Sequence, residues 1–358
     1  MTTRRMLAKL PARQLRYVQP VFDPAPGTVT ADVYDQVEQD LRMVIPPVLL
    51  HSPAPDVLAA YWALMRETLH AAGTAPRRDK EIVAAAVSVA NVCPYCIDTH
   101  TTGLYELASE RDAEALGSDQ LDDVLDADTR ALARWGRTCH LVDEPALRDP
   151  PFDAARAAEL IGVAVTFHYL NRIVNVFLPN YLISARLRGA ARRRLKQGIS
   201  RAMRPILRER ATPGQALGLL APAPLPPDAG WADGNPAVAG AVARASAAFE
   251  RAGGQALPAA VRELVVARLA DWRGEPMGLS RAWCEDAIGV LPAGDRAIGR
   301  LALLTAFASY QVDADVVEAC RLGDESLVQA IAWVSYQTAA LIGARAARMA
   351  ALGAVESA

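Results

Sequence analysis

Apolar residues recur at intervals of three and four along most of this chain, the spacing that gathers them on one face of a helix. The pattern is clear over Val57 to Leu69, Ile82 to Val92, Ala154 to Phe177, Val261 to Leu269 and Ser326 to Met349. Helix formers such as Ala, Leu, Arg and Glu dominate, and strictly alternating Val/Ile/Thr runs are nearly absent. The pattern predicts an all-α protein. Residues 326–344 form a nineteen-residue uncharged run that still holds two Gln, two Ser, a Tyr and a Thr. It predicts a buried core helix and no membrane span.

The pattern also repeats. Pro76 and Glu81 match Pro258 and Glu263 at an offset of 182. Further on the offset becomes 166: Arg130-Ala131-Leu132 matches Arg296-Ala297-Ile298, and Glu159 matches Glu325. The sixteen residues missing from the second copy correspond roughly to the acidic region 108–123. Two tandem helical domains are expected, over 1–185 and 237–358. Residues 186–236 would join them. Of these, 186–210 carry ten Lys/Arg and one Glu, and 212–236 are rich in Pro, Gly and Ala. The first part reads as a helix with a solvated basic face, the second as an irregular linker.

Composition narrows the function. A chain of 358 residues, 52% of them apolar, can bury a large core, and a net charge of −2 gives no reason to expect nucleic acid as a partner. The N-terminus, MTTRRMLAKLPARQ, is basic but lacks a continuous apolar stretch, so it does not read as a secretory signal. Five cysteines are too few and too unevenly spaced for a disulfide framework. Such usage suits the cytoplasm, where a close cysteine pair is usually catalytic or metal-binding.

That pair lies in NVCPYCIDTH. Pro94 suits the first position of a helix, with Cys93 as the N-cap residue. Cys96 then falls in the first turn, where unpaired N–H groups and the helix dipole are expected to lower its pKa. His100, four residues on, shares a helical face with Cys96 and can carry a proton near neutral pH. Cys96 is read as the sulfur that attacks a peroxide, and Cys93 as the resolving thiol and the sulfur later attacked by an external dithiol. Glu81 opens an otherwise apolar helix and is suspect as a buried carboxylate. A straight helix would put it about 18 Å from Cys93, so either the His100 helix folds back along the Glu81 helix, or a water bridge or a neighbouring chain closes the gap. Tyr95, His168 and Asn171 are further candidates for lining the site. His168, Asn171, Arg172 and Asn175 form a polar stripe on one helix, and the second copy has Val334 and Leu341 where the first has His168 and Asn175. Asp98 reads as an exposed first-turn acid without a catalytic role.

Glu81, Cys93, Cys96 and His100 together read E-x11-C-x2-C-x3-H. This arrangement resembles the alkylhydroperoxidase D branch of the carboxymuconolactone decarboxylase family, strictly over about twenty residues and loosely over 30–185. The resemblance implies an all-α fold, a trimer or pseudo-hexamer, and reduction of hydroperoxides without flavin, metal or other cofactor. It also implies a dithiol reductant such as a dihydrolipoyl-bearing carrier protein, and a proton relay from Glu81 and His100 to the cysteines. The chain departs from the family in being doubled. Its second copy has lost both cysteines and carries Ala282 where the first has His100. Other readings are a redox-sensing or assembly protein without catalysis, and a decarboxylase-like enzyme acting on a ring acid. Zinc on the CxxC turn would need a second ligand pair, which the sequence does not offer. Cys139, Cys284 and Cys320 read as core residues.

Overall fold

The computed structural model describes residues 14–356 apart from 179, 180 and 185. Helices fill the described residues, and no β-strand occurs among them. The first half runs through α1 (Val29–Leu41), α2 (Pro46–His51) and α3 (Pro55–Met65), which passes into a π-helical turn at Arg66–His70. It continues with α4 (Arg77–Ala90), α5 (Pro94–Leu107), α6 (Glu110–Gly117), α7 (Ala127–Thr138), α8 (Ala154–Phe177) and α9 (Gly189–Arg208). The second half comprises α10 (Pro236–Ala256), α11 (Ala259–Asp271), α12 (Ala282–Ile288), α13 (Arg296–Ala308), α14 (Ala314–Cys320) and α15 (Asp324–Glu356).

Local sequence sets many of these boundaries. The side chains of Thr28, Ser109, Asp126, Asp153, Asn235 and Asp313 each accept a backbone N–H from the first turn they precede. Proline occupies the first turn of α2, α3, α5 and α10, where no N–H is needed. The repeat recurs in the helices. α4 and α11 start at 77 and 259, each straight after a proline, and α3 and α10 start at 55 and 236. α6 has no counterpart, in keeping with the sixteen-residue gap, and α5 has only a partial one, because α12 has seven residues against its fourteen.

The two halves share one continuous apolar core, which extends from Val18 to Ala346. α8 packs along α15, and α10 packs against both α3 and α15. α8 and α15 are long and apolar enough to cross a membrane, yet their most apolar windows are 100% and 72% buried within the protein.

Two expectations for 186–236 need correction. The Pro/Gly-rich segment is packed, with Ala216 and Ala232 fully buried. A buried ion pair in the π-helical turn fastens it: Arg66 donates to the Thr212 carbonyl and to Gln215, while Glu67 accepts the backbone N–H groups of Gly214 and Ala216. The basic helix is not simply solvated either. α9 turns Ile199, Met203, Ile206 and Leu207 inward. Its charges meet acids of α5 and α6, through Arg192–Asp98, Lys196–Glu114 at 2.6 Å and Arg204–Glu106 at 2.7 Å. Acids of α5 and α6 are therefore the electrostatic partners of the basic helix, a pairing between stretches about 90 residues apart that local pattern cannot display.

Candidate thiol site

The site forms where α4 and α5 meet. The chain reverses at Asn91–Val92, and Val92 adopts a left-handed backbone with φ 49°. A β-branched residue is strained in that region. The reversal lays α5 back along α4, which removes the geometric difficulty posed by the distance along a straight helix. His100 Nδ1 lies 2.6 Å from Glu81 Oε2. Cys93 caps α5 and Pro94 opens it, as the sequence predicts.

Glu81 is only 2% exposed, and its contacts with Arg77 and His100 hold it ionised. Burial alone would raise its pKa, but Arg77 and His100 outweigh burial and bring it down to about 2. Arg77 donates to Glu81 Oε1 at 2.8 Å and to His70 Nδ1 at 3.1 Å. His70, Arg77, Glu81 and His100 thus form one hydrogen-bonded chain. The carboxylate fixes the His100 tautomer: Nδ1–H donates to Glu81, so Nε2 is the free base nitrogen of the neutral ring. The ring packs edge-on against Phe167, with centroids 4.5 Å apart.

Cys93 and Cys96 are both free thiols and both buried. The expected lowering of the Cys96 pKa is not found. Burial raises it well above the usual thiol range, the neighbouring Cys93 thiol raises it further, and only the Asn171 side chain works the other way. Desolvation of the thiolate outweighs the helix-terminus effect here. Cys96 lines a cavity of about 320 Å³, and Tyr95, Thr99, His100, Glu81 and Arg77 share its wall. The rest of that wall is largely apolar, with residues of α9 completing it. Cys93 is fully buried and outside the cavity lining, so an external dithiol does not meet it first, contrary to the sequence reading.

The remaining candidates separate. Tyr95 is in the cavity wall, and Asn171 reaches Cys96. His168 does not line the cavity. Its Nε2 lies 3.3 Å from Cys139 Sγ, and its Nδ1 faces Asn91. Asn91 is a hub that also meets Asn171, Arg172 and Asn175. The polar stripe thus ties the first half internally, and through Arg172 to the Ala306 carbonyl and Asn175 to Ser309 it ties the two halves together. Cys139, Cys284 and Cys320 are buried, as expected. Asp98 is not exposed: it is 5% exposed and paired with Arg192.

Sequence reasoning missed Arg77, His70 and Tyr61. Arg77 carried a usable signal, since it stands four residues before a carboxylate on one helix face. His70 and Tyr61 carried none, because they reach the cavity from the π-helical turn and from α3, elements outside the motif. The apolar cavity adjoins a second, more polar one of about 300 Å³, and His70 and Arg77 stand on the partition between them.

An all-helical fold with a CxxC pair at a helix start and a Glu–His contact behind it defines a small class of proteins. Residues 55–133 match the carboxymuconolactone decarboxylase family, and the chain belongs to that family. It is also 34% identical, over 332 residues, to a protein of Mycobacterium tuberculosis named alkyl hydroperoxide reductase. That match covers 92% of this chain and 94% of the relative.

Proposed function

We propose that the protein is a thiol-dependent hydroperoxide reductase working through a Cys96/Cys93 dithiol–disulfide cycle. The observation that carries this reading is a cysteine pair beside a Glu81–His100 hydrogen bond of 2.6 Å, with Cys96 facing a largely apolar cavity. The name of the mycobacterial relative supports it.

In this reading His100 Nε2 takes the Cys96 proton, and Glu81 steadies the resulting imidazolium. The Cys96 thiolate attacks the terminal oxygen of the hydroperoxide. The O–O bond breaks, and the alkoxide leaves as the alcohol after taking the proton back from His100. Cys96 is left as a sulfenic acid. Cys93 Sγ displaces its hydroxyl, an S–S bond forms, and water leaves with the Cys93 proton. An external dithiol, such as one carried on a lipoyl-bearing protein, then reduces the disulfide and is itself oxidised to a disulfide. No flavin or metal enters this cycle. The raised Cys96 pKa suits it, because the thiolate is formed only when the relay accepts its proton. Assembly into a trimer or pseudo-hexamer belongs to the same proposal. It is consistent with exposed apolar side chains in the second half, such as Leu279, 92% exposed, and Val290, 78% exposed.

The test is dithiol-dependent consumption of an organic hydroperoxide. Activity in the wild type, lost in both Cys96→Ser and Cys93→Ser, is the expected result. Consumption that survives in Cys96→Ser refutes the cycle.

A further inference from the structure

Two buried polar atoms in the wall of the Cys96 cavity have no hydrogen-bond partner among the described residues: Oη of Tyr61 and Nε2 of His70. Tyr61 is fully buried and His70 is 9% exposed. Buried polar groups are nearly always satisfied, so two orphans on one largely apolar wall mark a place meant for a polar ligand group.

The chemistry of each orphan follows from its surroundings. A guanidinium can only donate. Arg77 Nη1 lies 3.1 Å from His70 Nδ1, so Nδ1 accepts and the neutral ring carries its hydrogen on Nε2. His70 Nε2–H is therefore a fixed donor, and burial beside Arg77 keeps the ring neutral. The π-helical turn at Arg66–His70 positions it, and such turns often occur at functional sites. The Tyr61 ring is held flat against His51, with centroids 4.3 Å apart, and its hydroxyl can donate or accept.

We propose that Tyr61 and His70 are the substrate-binding pair of this site, gripping the two oxygens of an alkyl or aryl hydroperoxide whose apolar body fills the rest of the cavity. The assignment rests on the peroxidase reading and gives it a substrate class. A cavity of about 320 Å³ has room for such a body, since a dry apolar cavity of about 150 Å³ already takes benzene. Hydrogen peroxide would leave that space unused. When Cys96 attacks the terminal oxygen and the O–O bond breaks, negative charge develops on the inner oxygen. The His70 Nε2–H donates to that oxygen and Tyr61 meets the terminal one. His70 also stands in the hydrogen-bonded chain that ends at His100, which links substrate binding to the proton relay.

The test uses unreactive probes, so it does not depend on turnover. Benzyl alcohol and toluene share a ring and differ in one oxygen. Each is titrated as a protectant of Cys96 against slow alkylation by iodoacetamide in the full-length protein. The wild type should bind the alcohol more tightly than the hydrocarbon by roughly fivefold, the size of one net hydrogen bond. Tyr61→Phe and His70→Phe should each shrink that ratio, and His70→Gln, which keeps a donor near Nε2, should restore much of it. Equal protection by the two probes in the wild type overturns the assignment, as does a full ratio in both Phe variants. Tyr61→Phe removes only an unpartnered hydroxyl, so the question stays answerable if a His70 variant fails to fold. A wild-type protein that discriminates between the probes yet consumes no hydroperoxide would refute the peroxidase reading alone.

Discussion

α4 and α11 descend from matching sequence, and each starts directly after a proline, yet they live in different surroundings. α4 is buried without a break from Lys80 to Ser88, because α5, α7 and α8 surround it. α11 buries only Val261, Val265 and Leu269, a single stripe, and leaves Val266 51% exposed. The carboxylates follow suit. Glu81 is inside, held by Arg77 and His100, whereas its match Glu263 faces solvent. The second copy has no α6, and the element missing beside α11 is a full-length α5. Without that helix there is no cysteine pair, no histidine and nothing to roof a buried acid. The site is thus a property of two helices meeting, and losing one dissolves the other's chemistry.

The two halves should differ most at the sulfurs. Cys96→Ser should abolish dithiol-dependent peroxide consumption, whereas Cys284→Ser in the second half should leave it unchanged. Next comes the acid. Glu81→Gln should slow turnover by roughly 10²-fold or more, the usual worth of acid–base assistance, and Glu263→Gln should leave the rate alone. Steady-state rates on the four purified variants decide both points.

Acid should act through the first half, since all five histidines lie there, at 51, 70, 100, 140 and 168. Burial lowers the pKa of His51 to about 3 and of His140 to about 4, and it also lowers those of His70 and His168. The unfolded chain therefore binds more protons than the folded one below about 6.5, and stability falls as pH falls from there toward 3. Each such histidine contributes up to about 1.4 kcal/mol per pH unit within that window. Thermal melts between pH 7 and pH 4 should show a steep decline, which His51→Gln should soften. A flat profile would contradict the buried neutral rings.

The smallest effect concerns the reversal before Cys93. At the repeat offset Val92 matches Gly274, and both are left-handed, at φ 49° and 100°. Val92 is 51% exposed, so Val92→Gly gives up little packing and relieves the strain. A gain of up to about 1 kcal/mol is expected, read from chemical denaturation. The reverse change, Gly274→Val, should be damaging, since a Cβ there would lie 2.1 Å from the His140 carbonyl oxygen.

The helices, their proline starts and the four motif residues were legible because each depends on neighbours within a few positions. Glu81 and His100 could be paired on paper only by supposing a reversal, and nothing in Asn91–Val92 announces one. Asp98 misled, since its partner Arg192 is 94 residues away. Cys96 misled for a related reason. A helix start is visible locally, but the helices that bury the thiol come from elsewhere. His168 lies on the same stripe as Asn171, but one turn along α8 separates a contact with Cys96 from a contact with Cys139.

Arg172 is 5% exposed, and one of its donors ends on the backbone carbonyl of Ala306 in the second copy. A main-chain oxygen is not encoded by any particular side chain, so drift in the second copy can rewrite nearly every residue there and still keep that contact. Deletion of the second copy cannot. It would take away the acceptor of the Arg172 Nε–H and leave that guanidinium to its Asn91 and His168 contacts alone. The duplication therefore behaves as a ratchet: the spare half was free to forget its chemistry but is no longer free to leave.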